Sequence, residues 1–260
     1  MFTSCSSATI EPVRAFACPV CHGFVPFVSS RCDHCHTEIG FDVYTNAMAP
    51  VSLGRAVVGE RRLIRCARSD SLGCNWLVPE EEEPGDQRRG RCLPDSLVRR
   101  EPDADDTIAL EKLVDTAVAL RRLVYQLLDL GLPVDPFWRA EGGLAFDLLS
   151  SYSAGERVVI GHGGGVITID LVESLDAYRE TLRVKLGEPY RTILGHFRHE
   201  VGHYYQSVLV ECEPRYLTEC RRLFGDERAD YQAAMERHYM FGPPDNWADS
   251  YISEYATMHP

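Results

Sequence analysis

Two cysteine pairs near the amino terminus, Cys18-Pro-Val-Cys21 and Cys32-Asp-His-Cys35, limit what this chain can become more than any other feature. Ten residues separate them. Two thiolates three positions apart, matched by a second such pair, are the donor set of a tetrahedral zinc ribbon. A module with so little apolar content draws its folding energy from the metal. Redox-active thiols are the rival reading, but they do not account for two matched pairs. The chain holds 10 cysteines in all. Its first residues carry neither a basic start nor an apolar run, so a cytoplasmic location with free thiols is expected, without a disulfide framework.

The ribbon is expected over residues 1–45, with Phe24–Val28 as a short strand, and an irregular cysteine-containing connection over 46–105. From Thr107 the pattern turns helical. Ile108, Leu110, Leu113, Val114, Ala117, Leu120, Val124, Leu127 and Leu128 line one face, and Gly131 and Pro133 supply the stop. Residues 157–171 switch to strand signals, Val158–Ile160 and Val166–Ile169, with Gly161-His162-Gly163-Gly164-Gly165 read as the turn between them. The strand at 166–170 is expected to be a sheet edge open to an extended peptide. Further helices are expected at 173–186, 189–210 and 214–240, the last broken near Gly225. No apolar run approaches the ~20 residues of a membrane-spanning helix.

The chemistry concentrates at His199-Glu200-Val201-Gly202-His203. On a helix, positions i and i+4 lie one above the other, so both imidazoles can grip one zinc ion. Zinc lowers the pKa of a water to about 7, and Glu200, beside the first ligand, is placed to take its proton for attack on a peptide carbonyl. His196 shares the helix too closely to be a third ligand and reads as a supporting or core histidine. Glu227 is the in-chain candidate for the third ligand, with Glu254 and His259 behind it. An equally natural role for Glu227 is an acid at a helix start. Cys66, Cys74 and Cys92 read either as the remains of a second metal site or, the commoner case for uneven spacing, as buried small side chains. A net charge of −12 lies wholly in residues 101–260, and residues 1–45 carry 2 basic and 4 acidic side chains, so nucleic acid is not an expected partner.

With both elements located, the chain resembles a bacterial family of zinc-binding metallopeptidases, gluzincin-like, that carry an N-terminal zinc ribbon. The resemblance runs through C-P-V-C, C-D-H-C, C-N-W-L-V-P, G-L-A-F-D at Gly143–Asp147, and G-V-I-T-I-D-L. It continues through L-G-E-P-Y-R-T-I-L-G-H-F-R-H-E-V-G-H-Y-Y and F-G-D-E-R-A-D-Y. It implies an α+β architecture: a mostly helical, zincin-like metallopeptidase domain with a short β element over 106–260, preceded by the ribbon. It implies two zinc ions, one structural and one catalytic, and a peptide or protein substrate. Related chains carry a further cysteine where this one has Arg89, so the resemblance leaves a second cysteine site without its fourth thiolate. They also continue into another helix beyond the equivalent of Pro260, so the domain is expected to be incomplete at its C-terminal end. The alternative is a non-catalytic, zinc-stabilised protein-binding module with a degenerate peptidase site.

Overall fold

The computed structural model describes residues 15–80, 89–155, 157–171 and 192–249, with 251, 254 and 257. The chain divides into two compact units, Met1–Val134 and Asp135–Pro260. The helix expected at 173–186, and Pro189 at the start of the next, lie outside the described residues.

In the first unit, β1 (Phe16–Ala17) pairs antiparallel with β2 (Phe24–Val25), and β3 (Ile39–Asp42) with β4 (Ala47–Pro50). Residues 46–105 are more regular than the sequence suggested. They carry β4, then an antiparallel meander of β5 (Arg55–Val58), β6 (Arg61–Arg65) and β7 (Leu77–Pro79). Two single-turn helices, α1 (Ser69–Leu72) and α2 (Leu93–Ser96), and β8 (Val98–Arg100) complete the region. The meander lacks a clear strand pattern because its strands are short and two of them, β5 and β6, are arginine-rich. Ala56, Leu63 and Leu77 turn inward onto Ala49 and Val51; the neighbours of Ala56 face out, whereas Val78 beside Leu77 is buried as well.

The expected long helix is α3 (Thr107–Asp129), started by the Asp106 carboxylate accepting from the Ala109 amide at 2.9 Å. Its face packs on α1 and α2 within the first unit. Two members of the predicted stripe, Ile108 and Val114, are exposed, because they lie at the margin of the buried face. Tyr125 of α3 joins Phe16, Phe27, Phe41 and Trp76 in an aromatic cluster, with Phe27–Tyr125 ring centres 4.8 Å apart and Phe41–Trp76 5.0 Å.

In the second unit, β9 (Ala145–Leu149) runs parallel to β11 (Val166–Asp170), which pairs antiparallel with β10 (Gly161–Gly163). β11 is therefore flanked on both sides and is not the expected edge. The hairpin is also displaced from its predicted register. Gly161, His162 and Gly163 form β10 itself, and only Gly164 and Gly165 make the turn. Gly165 has φ +85°, and a Cβ there would stand 2.3 Å from the Gly142 carbonyl oxygen, so no other residue fits without displacement.

Three helices follow: α4 (Ile193–Tyr205), α5 (Pro214–Phe224) and α6 (Tyr231–Phe241). The break near Gly225 falls where predicted, with that glycine at φ +98°. The Thr192 hydroxyl caps α4 by accepting from the Gly195 amide at 3.0 Å. α4 ends in a π-helical turn, Gln206–Glu211. Phe197, Val201 and Tyr204 form its buried stripe, and Phe197 meets Phe146 of β9 edge-on at 5.4 Å. No described helix is long and apolar enough to cross a membrane. The architecture is mixed α+β, with the four-cysteine cluster in the first unit.

Candidate metal centres

The first centre is built from two matching turns. The Cys18 amide donates to the Gly23 carbonyl (2.8 Å) and the Cys32 amide to that of Thr37 (2.9 Å), folding each C-x-x-C pair back on itself. His22 and His36, each following the second cysteine of its pair, both take φ +60° to close the turn. Cys18 Sγ lies 3.5 Å from Cys35 Sγ, and Cys21 Sγ 3.6 Å from Cys32 Sγ. All four sulfurs stand within 4.8 Å of one another. A tetrahedral zinc with Zn–S of about 2.3 Å sets its sulfurs about 3.8 Å apart, so the cluster fits that ion. The Thr37 hydroxyl and amide draw the Cys35 thiol down to about 6. Against the pull of a backbone hydrogen bond at Gly23, desolvation and the other thiols push Cys21 up to about 12. A divalent cation replaces this uneven sharing of protons with four thiolates.

A second cluster gathers Cys66, Cys74 and Cys92, buried as expected of small side chains, around Asp95. Their sulfurs and a carboxylate oxygen of Asp95 all lie within 4.8 Å of one another, and all four residues are buried. The Cys66 thiol donates to Asp95 Oδ2 at 3.0 Å and the Cys92 thiol to the same oxygen at 3.1 Å. Cys74 Sγ is 3.6 Å from Cys92 Sγ. Hydrogen bonds from Cys74 and Cys92 lower the Cys66 thiol, while Cys92 is raised by burial. Burial, then the charge of Cys66, pushes Asp95 up to about 6. The missed signal was Cys92-Leu-Pro-Asp95, which has the spacing of the ribbon pairs with a carboxylate in the second place.

The third arrangement is on α4. His199 and His203 turn their rings the same way, with Nε2 atoms 3.3 Å apart and ring planes at 85°. Two imidazoles bound at about 2.0–2.1 Å to a tetrahedral ion have nitrogens about 3.3 Å apart, so this pair has the bite of a zinc ligand set. Glu200, on the adjoining face, is buried at 7% exposure. Its Oε1 lies 3.8 Å from Nε2 of His196, one turn earlier on the same helix.

Sequence reasoning took the glycine cluster for a plain turn and passed over His162. On β10, which packs against α4, its ring stands 6.1 Å from that of Tyr204. Its buried Nε2 has no hydrogen-bond partner among the described residues. Burial, and then the charge of His203, hold its pKa below the ordinary imidazole range.

Glu227 is elsewhere engaged. The Arg221 guanidinium donates to both of its oxygens, Nε to Oε2 at 2.9 Å, and holds the carboxyl below its usual range. Glu227 forms no metal-sized cluster with His199 and His203, and no third Cys, His, Asp or Glu does so among the described residues. Glu254 is exposed, and its backbone carbonyl accepts from the Thr257 hydroxyl. His259 lies outside the described residues.

Residues 109–260 match the family described as "putative zinc-binding metallo-peptidase", and residues 15–104, a span holding both cysteine clusters, match a zinc-ribbon domain. Proteins from Mycobacterium bovis and from two strains of Mycobacterium tuberculosis, each described as uncharacterized, are 42% identical to this chain over 252 residues. The alignment covers 95% of this chain and 69% of each relative. No solved structure matches the chain.

Proposed function

The chain belongs to the family of putative zinc-binding metallo-peptidases, and on that footing we propose that its second unit is a zincin-like peptidase using His199 and His203 as zinc ligands and Glu200 as general base. The observation that carries this reading is the 3.3 Å separation of the two Nε2 atoms beside a buried carboxylate. When bound, zinc supplies Lewis acidity, polarising a peptide carbonyl and easing loss of a proton from water.

The remaining work falls to the chain. Packing of Phe197, Val201 and Tyr204 fixes the rotation of α4 and so the direction of both imidazoles. Glu200 accepts a proton from the attacking water at a carboxylate oxygen and delivers it to the leaving amine nitrogen. Burial keeps that carboxylate out of bulk water, and His196 at 3.8 Å limits its rotamers.

Glu200→Gln separates base from ligands. Hydrolysis of a quenched fluorescent peptide library by the zinc-loaded chain is expected to fall at least ~10²-fold, with metal retained. His203→Ala is expected to lose the metal as well. Undiminished hydrolysis by Glu200→Gln would refute the role of Glu200.

One observation favours a second reading, a zinc-stabilised binding protein without turnover: among the described residues no third ligand joins the histidine pair. That reading predicts intact metal binding and no hydrolysis by the unaltered chain.

A further inference from the structure

We propose that Cys66, Cys74, Cys92 and Asp95 form a second, mixed-ligand zinc site in the first unit, three thiolates and one carboxylate, with Arg121 as its buried counter-charge. The geometry is that of a metal cage. For Zn–S of about 2.3 Å and Zn–O of about 2.0–2.2 Å, tetrahedral edges are about 3.8 Å between sulfurs and about 3.5 Å between sulfur and oxygen. The observed 3.6 Å for Cys74–Cys92 is close to the first edge, and the two thiols, at 3.0 and 3.1 Å from Asp95, stand about 0.4–0.5 Å inside the second, a gap that opens when a metal replaces the shared protons.

Burial argues the same way. The four side chains belong to residues only 0–4% exposed, and a carboxyl group enclosed by three thiols has no water to solvate it. Plain packing does not require four metal-ligating groups to converge on one point.

The surrounding backbone is arranged for negative sulfur. The amides of Cys92 and Arg68 both donate to Cys66 Sγ, at 3.4 and 3.5 Å. Turns closed by Ser69 N–H to Cys66 O and Ser96 N–H to Cys92 O, each 2.9 Å, hold the two ligand-bearing segments. The second turn brings Asp95 back beside Cys92, as a second cysteine is brought back in each ribbon knuckle. The carboxylate occupies the fourth thiolate's place.

Arg121 supplies a separate observation. It lies on α3 at 1% exposure, and its Nη2 donates to the Leu72 carbonyl at 3.1 Å. Its Nε and Nη1 are buried without a hydrogen-bond partner among the described residues. A guanidinium in that setting needs a nearby negative charge, and its field reaches Asp95. Three thiolates and a carboxylate around a divalent ion carry a net charge of −2 (2 − 4), which supplies it.

The test uses the full chain and cobalt(II), whose thiolate-to-metal charge-transfer absorption grows with the number of coordinating thiolates. Titration of the unaltered, reduced chain is expected to plateau at the intensity of seven thiolates (4 + 3). A plateau at four would overturn the proposal, and so would a Cys74–Cys92 disulfide in protein purified with a chelator-free thiol reductant. Zinc content gives the second arm. Cys66→Ser is expected to lose one equivalent per chain, and Cys18→Ser/Cys21→Ser a different one, so that combining them removes two. Unchanged zinc in folded Cys66→Ser would overturn the site. Asp95→Ala is expected to release its zinc to a chromogenic chelator at least ~10-fold faster than the unaltered chain, and Asp95→Cys to restore slow release. Equal release from Asp95→Ala and the unaltered chain would remove Asp95 from the ligand set.

Discussion

Gly165 shows how much a single position can demand. A methyl group there meets the Gly142 and Gly143 carbonyl oxygens at 2.3 and 2.5 Å, on a backbone already at φ +85°. Gly164, also left-handed, faces open space. Gly164→Ala is therefore expected to cost about 1–2 kcal/mol and Gly165→Ala clearly more, read as the difference in urea unfolding midpoints. His162 offers a pH-dependent counterpart. The folded state holds its pKa down, so it prefers the neutral ring, while the unfolded chain takes up the proton near pH 6.5. Its contribution to stability is present above that pH and is lost as the pH falls below it. Between pH 7 and pH 5, His162→Asn is expected to lose less stability than the unaltered chain; equal losses would show that the ring is not held neutral. At this scale the ribbon cysteines and the His199–His203 pair were legible, because their spacing is local and chemically distinctive. His162 was not, since only the fold brings β10 against α4, and Asp95, though three residues from Cys92, meets Cys66 and Cys74 only in the folded chain.

The element that fixes the candidate catalytic geometry is α4. Its orientation rests on Phe197, fully buried and edge-on to Phe146 of β9. Phe197→Ala is expected to destabilise the second unit by about 3–5 kcal/mol. At temperatures where the variant remains folded, its affinity for metal at the histidine pair should also fall, measured by competition with a chelator. Helices were the most legible elements. α3 repeats its apolar period over 23 residues, and the end of α5 is marked by Gly225. Strands were less so. β10 consists of two glycines and a histidine, and β5 and β6 interrupt their apolar residues with arginines without a regular alternation. Their pairing is decided by partners that no local window contains. The same cause misplaced β11, whose apolar run reads equally as an edge or an interior strand until β9 is found beside it.

At the scale of the whole molecule, zinc at the cysteine clusters would make the folding of the first unit depend on metal as well as on packing. Short strands, two single-turn helices and Tyr125 of α3 surround the aromatic cluster of the first unit, and metal at the ribbon cysteines would tie together the strands that the cluster alone holds. Chelation under reducing conditions is expected to expose Trp76, now at 1% exposure, and shift its emission to the red in a variant with Trp138 and Trp247 replaced by Phe. The α4 helix should keep its far-ultraviolet signal under the same treatment. One contact gives this dependence a direction. Asn75, the residue after Cys74, donates its side-chain amide to the carbonyls of Phe27 and Ser29, at 2.6 and 3.0 Å, in the loop joining the two ribbon knuckles. If both clusters hold zinc, filling either would stiffen the tether that shapes the other, and uptake would climb steeply over a narrow range of free zinc. Asn75→Ala would cut that tether and spread loading into two separate, shallower steps.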